Sequence, residues 1–182
     1  AIFQKMAAVY NMDVETLRAQ MPQSCSLLIF PLFHTSGCAS VFLSTFMSGG
    51  KLVLMERWNP DMAMQLIEKE RVSIFGGVPA THWDVLRSEN RDKYDLSSLM
   101  SISNGGQAFP RNLMNAIRET FPKAFIGAGY GMTETGGSVS QATGEALVSR
   151  PQASGQVLPM NRVRIVDEDG KDLPAGKTGD IW

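Results

Sequence analysis

The sequence predicts an α/β fold, a parallel sheet with helices on both faces, and three observations carry that expectation. Short apolar runs of strand length recur along the chain: Ser26–Leu32, Lys51–Met55, Val72–Phe75, Met100–Ser103 and a run beginning at Ala124. A turn rich in Gly, Pro or small polar residues follows the runs, and a segment of helical periodicity comes next, the grammar of strand–crossover–strand units. The runs are continuously apolar and not alternating, as strands covered on both faces are.

Each element has a local reason. Ala1–Tyr10 places Ile2, Phe3, Met6, Val9 and Tyr10 on one helical face, and Val14–Gln20 is a second short helical piece before Pro22. After the Ser26–Leu32 strand, Phe33–Gly37 is a turn and Cys38–Met47 an apolar helix closed by Ser48-Gly49-Gly50. Lys51–Met55 is the next strand. Gly49-Gly50-Lys51 is not a phosphate loop, because the spacing is wrong and Lys51 enters a strand. Asn59-Pro60 caps a helix running to Glu70. Val72–Phe75 leads through Gly76-Gly77-Val78 to a helix from Pro79 or Ala80 to Ser88, and Ser88–Lys93 is a charged surface loop. Asp95–Leu99 is read as one helical turn, Met100–Ser103 as a strand, and Pro110–Phe121 as a helix.

Beyond Gly137 the pattern changes. Ser138–Ala142 is one more strand, and Ala142–Pro159 is loop-like. Arg162–Val166 and Gly179–Trp182 are two strands joined through the tight-turn signal Asp169-Gly170. The expected organisation is an α/β unit over residues 1–142 and a linker with the start of a small β subdomain over 143–182. The chain stops in mid-strand at Trp182, which suggests a fragment.

Composition bounds the function. With 43% hydrophobic residues the chain can bury a substantial core. A net charge of −1, with scattered Lys and Arg, offers no face for nucleic acid. Cys25 and Cys38 make no disulfide framework, and with only His34 and His82 no zinc-type cluster is available. Reduced thiols suit a cytoplasmic setting. No apolar run reaches transmembrane length and no signal-peptide pattern opens the chain.

The stretch Ala124–Gly137, AFIGAGYGMTETGG, is the centre of the functional reading. In open α/β sheets, ligands bind at the carboxyl ends of the strands. Glycines there let backbone approach a ligand closely. Thr133 can donate a hydrogen bond to a phosphate oxygen, Glu134 can hold a hard cation such as Mg²⁺, and Tyr130 offers a flat face to a ring. The competing reading is a glycine-rich turn carrying a solvated Thr-Glu pair.

Tyr130-Gly-Met-Thr-Glu-Thr-Gly136 resembles the signature of the adenylate-forming (AMP-binding) superfamily, and Pro31-Leu-Phe-His34 resembles the Pro-x-Phe-His element of its acyl- and aryl-CoA synthetase branch. The resemblance implies that Tyr130 and Gly131 pack around adenine and that Thr133 contacts the α-phosphate. It also implies that Glu134 binds Mg²⁺ and that Gly136 and Gly137 lie under the acyl group. By the same resemblance, Gly105, Gly106 and Gln107 pass beside adenine and the acyl chain, Met132 belongs to the nucleotide site, and His34 lines the pocket near the acyl carboxylate. Gln107 departs from the small residue usual after the glycine pair. His34 stands where amino-acid-activating relatives usually carry an aspartate, which argues against an α-amino acid substrate. Phe75 and Met132 are candidates for the acyl tunnel or for core. His82 and Trp83 read as packing residues, and Cys38 as a buried, inert thiol.

The implied activity is that of an ATP-dependent carboxylate–CoA ligase, in which a fatty, aryl or other carboxylic acid, ATP and CoA are the substrates and AMP and pyrophosphate leave. A Ser/Thr/Gly-rich loop ending in Pro-Lys-Gly is missing from the chain, and the family's ribose-binding aspartate and catalytic lysine would lie beyond Trp182. The 182 residues alone are therefore expected to be inactive. A non-catalytic nucleotide- or acyl-binding module and an adenylating enzyme that loads a carrier protein are the alternatives.

Overall fold

The computed structural model describes residues 13–16 and 22–182. The helix expected over Ala1–Tyr10 lies outside the described residues. So does most of Val14–Gln20, of which residues 14–16 are helical.

Seven strands form one sheet in the order β2-β1-β3-β4-β5-β6-β7. They are β1 (Cys25–Leu28), β2 (Lys51–Leu54), β3 (Ile74–Gly77), β4 (Ser101–Asn104), β5 (Phe125–Met132), β6 (Gly137–Thr143) and β7 (Gln156–Val157). The first five pair in parallel, and β6 and β7 add antiparallel to the β5 edge. The expected α/β fold is therefore present, with an antiparallel border.

Among the described residues, six helices of four residues or more accompany the strands. They are α1 (Ser36–Leu43), α2 (Ser44–Met47), α3 (Pro60–Glu70), α4 (Pro79–Arg87), α5 (Arg111–Thr120) and α6 (Gly144–Ser149). Their caps explain their bounds. The Asn59 side chain accepts the Met62 N–H at 2.8 Å with Pro60 at the first position, and Arg71 closes α3 in the left-handed region at φ 54°. Pro79 opens α4, and Pro110 immediately precedes α5.

Alternation along the strands divides the sheet into two unlike faces. Leu27, Val53, Phe75, Ile102 and Ile126 point to one face. There they meet Ala63, Met64 and Ile67 of α3, Val85 of α4, Leu113, Met114 and Ile117 of α5, and Leu147 of α6. Full burial of each large side chain stabilises by roughly 1.5–3 kcal/mol, so this layer holds the fold. The opposite face carries Ser26, Ile74, Ser101 and Phe125 in one row and Gly76, Ser103, Gly127 and Thr143 in the next. Among the described residues, α1 and α2 cover it, α2 against β2 and α1 against β1 and β6, and the Thr45 hydroxyl donates to Ser26 Oγ at 2.9 Å.

Several elements differ from the sequence expectation for identifiable reasons. The strand expected over Ser26–Leu32 is Cys25–Leu28. Met55 N–H makes the last bond to the Leu28 carbonyl, and the chain then turns so that His34 N–H reaches the Pro31 carbonyl. The strand expected at Val72–Phe75 begins two residues later, because Val72 N–H bonds back to the Ile67 carbonyl at the end of α3. Gly76 and Gly77 then extend the strand against Ser103 and Asn104.

The helix expected over Cys38–Met47 starts at Ser36 and winds as a π-helix through Leu43, with the Ser44 hydroxyl bonded to the Ala39 carbonyl. No residue in the segment marks that winding. Asp95–Leu99 is not helical. Leu96 and Leu99 are buried, and the single helical turn is 3₁₀ at Arg91–Lys93, inside the expected loop. Ala142–Pro159 is not loop throughout, since it holds α6 and β7, and Leu147 of α6 is fully buried in the main core.

A second, two-stranded sheet pairs β8 (Ile165–Val166) with β9 (Asp180–Ile181) in antiparallel fashion. A tight turn sits where Asp169-Gly170 predicts it and returns the chain from β8 to an antiparallel bridge between Val166 and Asp172, before β9. Gly170 has φ 76°, and Asp167 Oδ1 accepts the N–H groups of Asp169 and Lys171. Among the described residues, no helix is long and apolar enough to cross a membrane.

Candidate functional site

The face with small side chains is hollow. A cleft of about 720 Å³ runs along it to the carboxyl ends of the strands, between α1 and the β5–β6 hairpin. It is lined by His34 from the turn after β1, Gly105 and Gly106 from the turn after β4, and Gly131, Met132, Thr133, Glu134 and Gly137 from the hairpin. Three turns distant in sequence thus meet on one space. Gln107, Tyr130 and Gly136 do not line it.

Each wall is built by local bonds. At Gly37 a Cβ would lie 2.1 Å from the Pro31 carbonyl oxygen, so the chain closes the turn after β1 only with glycine there. His34 Nδ1 accepts the Ser36 N–H at 3.1 Å, which places the proton of the neutral imidazole on Nε2. Cys38 is half-buried, more open than the sequence suggests, whereas Cys25 is buried and its thiol pKa is pushed up by desolvation.

The hairpin is locked by a residue that the sequence reading passed over, Thr135. Its hydroxyl accepts the Met132 N–H at 3.2 Å and lies 2.9 and 2.8 Å from the carbonyls of Met132 and Gly137. This holds the 3₁₀ turn Thr133–Thr135, and Gly136 leaves it in the left-handed region at φ 68°. The signal was present in the threonine two residues after Thr133, but the pattern pointed to Thr133 and Glu134 alone. At Gly131 a Cβ would lie 2.0 Å from the Gly137 carbonyl oxygen, so the hairpin crossing requires glycine. The Thr133 and Glu134 side chains are exposed and hydrogen-bond to no other described residue.

Tyr130 belongs to the other face of β5. Alternation from Ile126 through Ala128 sends it to the helix-bearing side, at the carboxyl end of the strand. Gln107 is exposed, and its carbonyl accepts from Asn104 Nδ2 at 2.8 Å. Gly105 and Gly106 have open space where a side chain would stand, and Gly106 has φ 72°.

Phe75 and His82 are core, and only Met132 of the two tunnel candidates lines the cleft. His82 is 2% exposed, meets Phe75 edge-on at 5.2 Å and stacks on Phe109 at 6.5 Å. Its Nε2–H donates to the Ser103 carbonyl at 3.0 Å, and burial lowers its pKa to about 4. Trp83 packs at the core margin under the Arg87 guanidinium, 4.3 Å from its ring centre.

The donor set suits a metal that brings its own ligands. Among the described residues no group of three His, Cys, Asp or Glu side chains converges, and Glu134 is the one carboxylate lining the cleft. One carboxylate beside a hydroxyl fits Mg²⁺, which keeps waters and takes phosphate oxygens, and does not fit a closed structural site.

The architecture defines a wound α/β protein with a cleft at the carboxyl edge of its parallel strands, where ligands bind in open α/β sheets. Residues 3–182 match the family of AMP-binding enzymes, and the chain belongs to that family. It is 34% identical to a 4-coumarate–CoA ligase of Pinus taeda over 159 residues, 85% of this chain and 30% of the relative. It is 33% identical to 4-coumarate–CoA ligase CCL1 of Humulus lupulus over the same length, again 85% of this chain and 29% of the relative. The chain therefore spans about a third of the length of the curated relatives it matches. Among solved structures it resembles an O-succinylbenzoate coenzyme A synthetase of Bacillus subtilis in complex with ATP and a magnesium ion. That match has a TM-score of 0.76 at 26% identity and covers 92% of this chain and 34% of the other.

Proposed function

We propose that this chain is the part of an ATP-dependent carboxylate–CoA ligase that seats the acyl group and the AMP moiety. The reaction joins a carboxylate oxygen to the α-phosphorus of ATP with release of pyrophosphate. The CoA thiol then attacks the acyl carbon and AMP departs. The observation that carries this reading is the convergence of His34, Gly106, Thr133 and Glu134 on one cleft.

Attack of one anion on another needs positive or hydrogen-bonding partners fixed in advance. Thr133, held in the turn by Thr135, presents its hydroxyl to an α-phosphate oxygen. Glu134 would hold Mg²⁺, which would neutralise charge developing on the phosphoryl group. His34 carries its N–H on Nε2 and donates to the substrate carboxylate, where an aspartate would repel it. The exposed backbone of Gly105 and Gly106 lies along the nucleotide, and Tyr130 with Gly131 borders the base. Gly136 and Gly137 leave room under the acyl group.

The coumarate ligases among its relatives make aryl acids the first class of substrate to try. The test is acid-dependent exchange of pyrophosphate into ATP by the full-length protein, across aryl, fatty and amino acids. Exchange with an aryl or fatty acid is expected, and the same assay on the 182 residues alone is expected to show none. Glu134→Gln is expected to lower the exchange rate by about 10²–10³-fold without moving the unfolding midpoint. Unchanged exchange in that variant contradicts the role of Glu134.

A further inference from the structure

Asn104, the last residue of β4, is a polar side chain that the reading above leaves without a role. It is 2% exposed and lines the cleft. Its Nδ2 donates to the Gln107 carbonyl at 2.8 Å, and its Oδ1 has no partner among the described residues. The amide cannot be turned over to relieve this, because the Gln107 carbonyl only accepts and so demands the NH₂ end. An acceptor buried without a donor is costly and rare in a native fold.

Its surroundings show what is missing. The strand partners at its level are Gly77 on β3 and Ala128 on β5, neither of which has a polar side-chain hydrogen. The next peptide is pinned, since Gly105 N–H donates to the Gly77 carbonyl at 3.1 Å. Beyond it, Gly105 and Gly106 face open space. Tyr130 stands two residues past Ala128 on the same side of β5.

We propose that Asn104 is a nucleobase-specifying residue, its Oδ1 accepting a hydrogen bond from the exocyclic amine of adenine. This deepens the ligase reading and rests on it. At neutral pH the carboxylate and phosphate groups of the substrates carry no hydrogen to give, so the donors of an adenylate are the amine and the ribose hydroxyls. Thr133, the phosphate partner, lies five residues beyond Ala128 in sequence, roughly 15 Å along the strand direction. The amine is the donor farthest from the phosphate, and it alone distinguishes adenine from hypoxanthine at that position. A base carrying a carbonyl there would set two acceptors face to face.

The test is equilibrium binding to the full-length protein of AMP, IMP and purine ribonucleoside monophosphate, the last lacking any substituent in place of the amine. The wild-type protein is expected to bind AMP at least about tenfold more tightly than either analogue. Asn104→Ala, shown to fold by its melting curve, is expected to bind all three within about threefold of one another, chiefly by weakened AMP binding. Equal binding of the three by wild type, or an undiminished AMP preference in folded Asn104→Ala, overturns the assignment. If the variant does not fold, the wild-type comparison of AMP with purine ribonucleoside monophosphate decides it alone. Binding needs neither acid nor CoA, so AMP bound without base preference counts against Asn104. No AMP binding at all counts against the ligase reading and removes this assignment with it.

Discussion

The two faces of the sheet are built from the same strands and follow opposite rules. On one face Leu27, Phe75, Ile102 and Ile126 press against three long helices and α6, and the layer is close to fully buried. On the other, the rows Ser26–Ile74–Ser101–Phe125 and Gly76–Ser103–Gly127–Thr143 keep side chains short and leave a cleft of about 720 Å³. The packed face holds the strands in register. The hollow face uses that register to bring three turns together. Within the strands, core and cleft wall thus fall on alternate positions of the same segments, and the adenine contacts proposed for Asn104 and Tyr130 come from the carboxyl ends of β4 and β5.

The sharpest way to break that division is a pair of truncations. Leu113→Ala, at a fully buried position facing the sheet, is expected to cost about 2–5 kcal/mol in urea denaturation. Ser101→Ala, in a row of the cleft face, is expected to stay within about 0.5 kcal/mol. Comparable losses at the two positions would mean that both faces support the fold.

Acid sharpens the comparison next. The buried imidazole of His82 has its pKa lowered from 6.5 to about 4 by desolvation, so the unfolded chain binds the proton more readily than the folded one. The sign follows. Stability is full above pH 6.5, falls as pH drops from 6.5 towards 4, and flattens below. The whole change is worth about 3 kcal/mol at roughly 1.4 kcal/mol per pH unit. His82→Leu is expected to flatten that slope when unfolding is followed between pH 7 and 4. A slope that persists unchanged in the variant assigns the effect to other groups.

The smallest effect belongs to the cleft wall. Thr135→Ala removes the acceptor for the Met132 N–H and is expected to cost about 1 kcal/mol of stability, as loss of a cap does. Because Thr133 and Glu134 sit in the turn it holds, a larger proportional fall in pyrophosphate exchange is expected. Loss of stability with unchanged exchange would show that the turn needs no such lock.

This division also explains what the sequence could disclose. The packed face was readable because burial leaves continuous apolar runs and capped helices, as at Asn59-Pro60 and Pro110. Strand ends were misplaced where backbone bonds outside the sheet decide them, as at Val72, whose N–H closes α3. The cleft face disclosed its turn residues, since Gly105, Gly106 and the Gly131–Gly137 stretch punctuate the pattern. It hid the supporting bonds. The lock at Thr135 is local, since its bonds run only to Met132 and Gly137, whereas nothing local marks Asn104 as a buried unpaired acceptor, because that depends on which residues of β3 and β5 lie beside it. The helix α6 was missed for a related reason. Its six residues, opening on Gly144 and followed by Arg150, show little periodicity, and burial of Leu147 against the main core holds it in place.

The most direct test of the central claim is a crystal structure of the full-length protein with an acyl-adenylate analogue whose phosphate is replaced by a sulfamoyl group. The account predicts the sulfamoyl oxygens within hydrogen-bond reach of the Thr133 hydroxyl, the base beside Gly105, Gly106 and Tyr130, and the acyl carbonyl next to His34. Density for the analogue on another edge of the sheet, with these three turns empty, would contradict it.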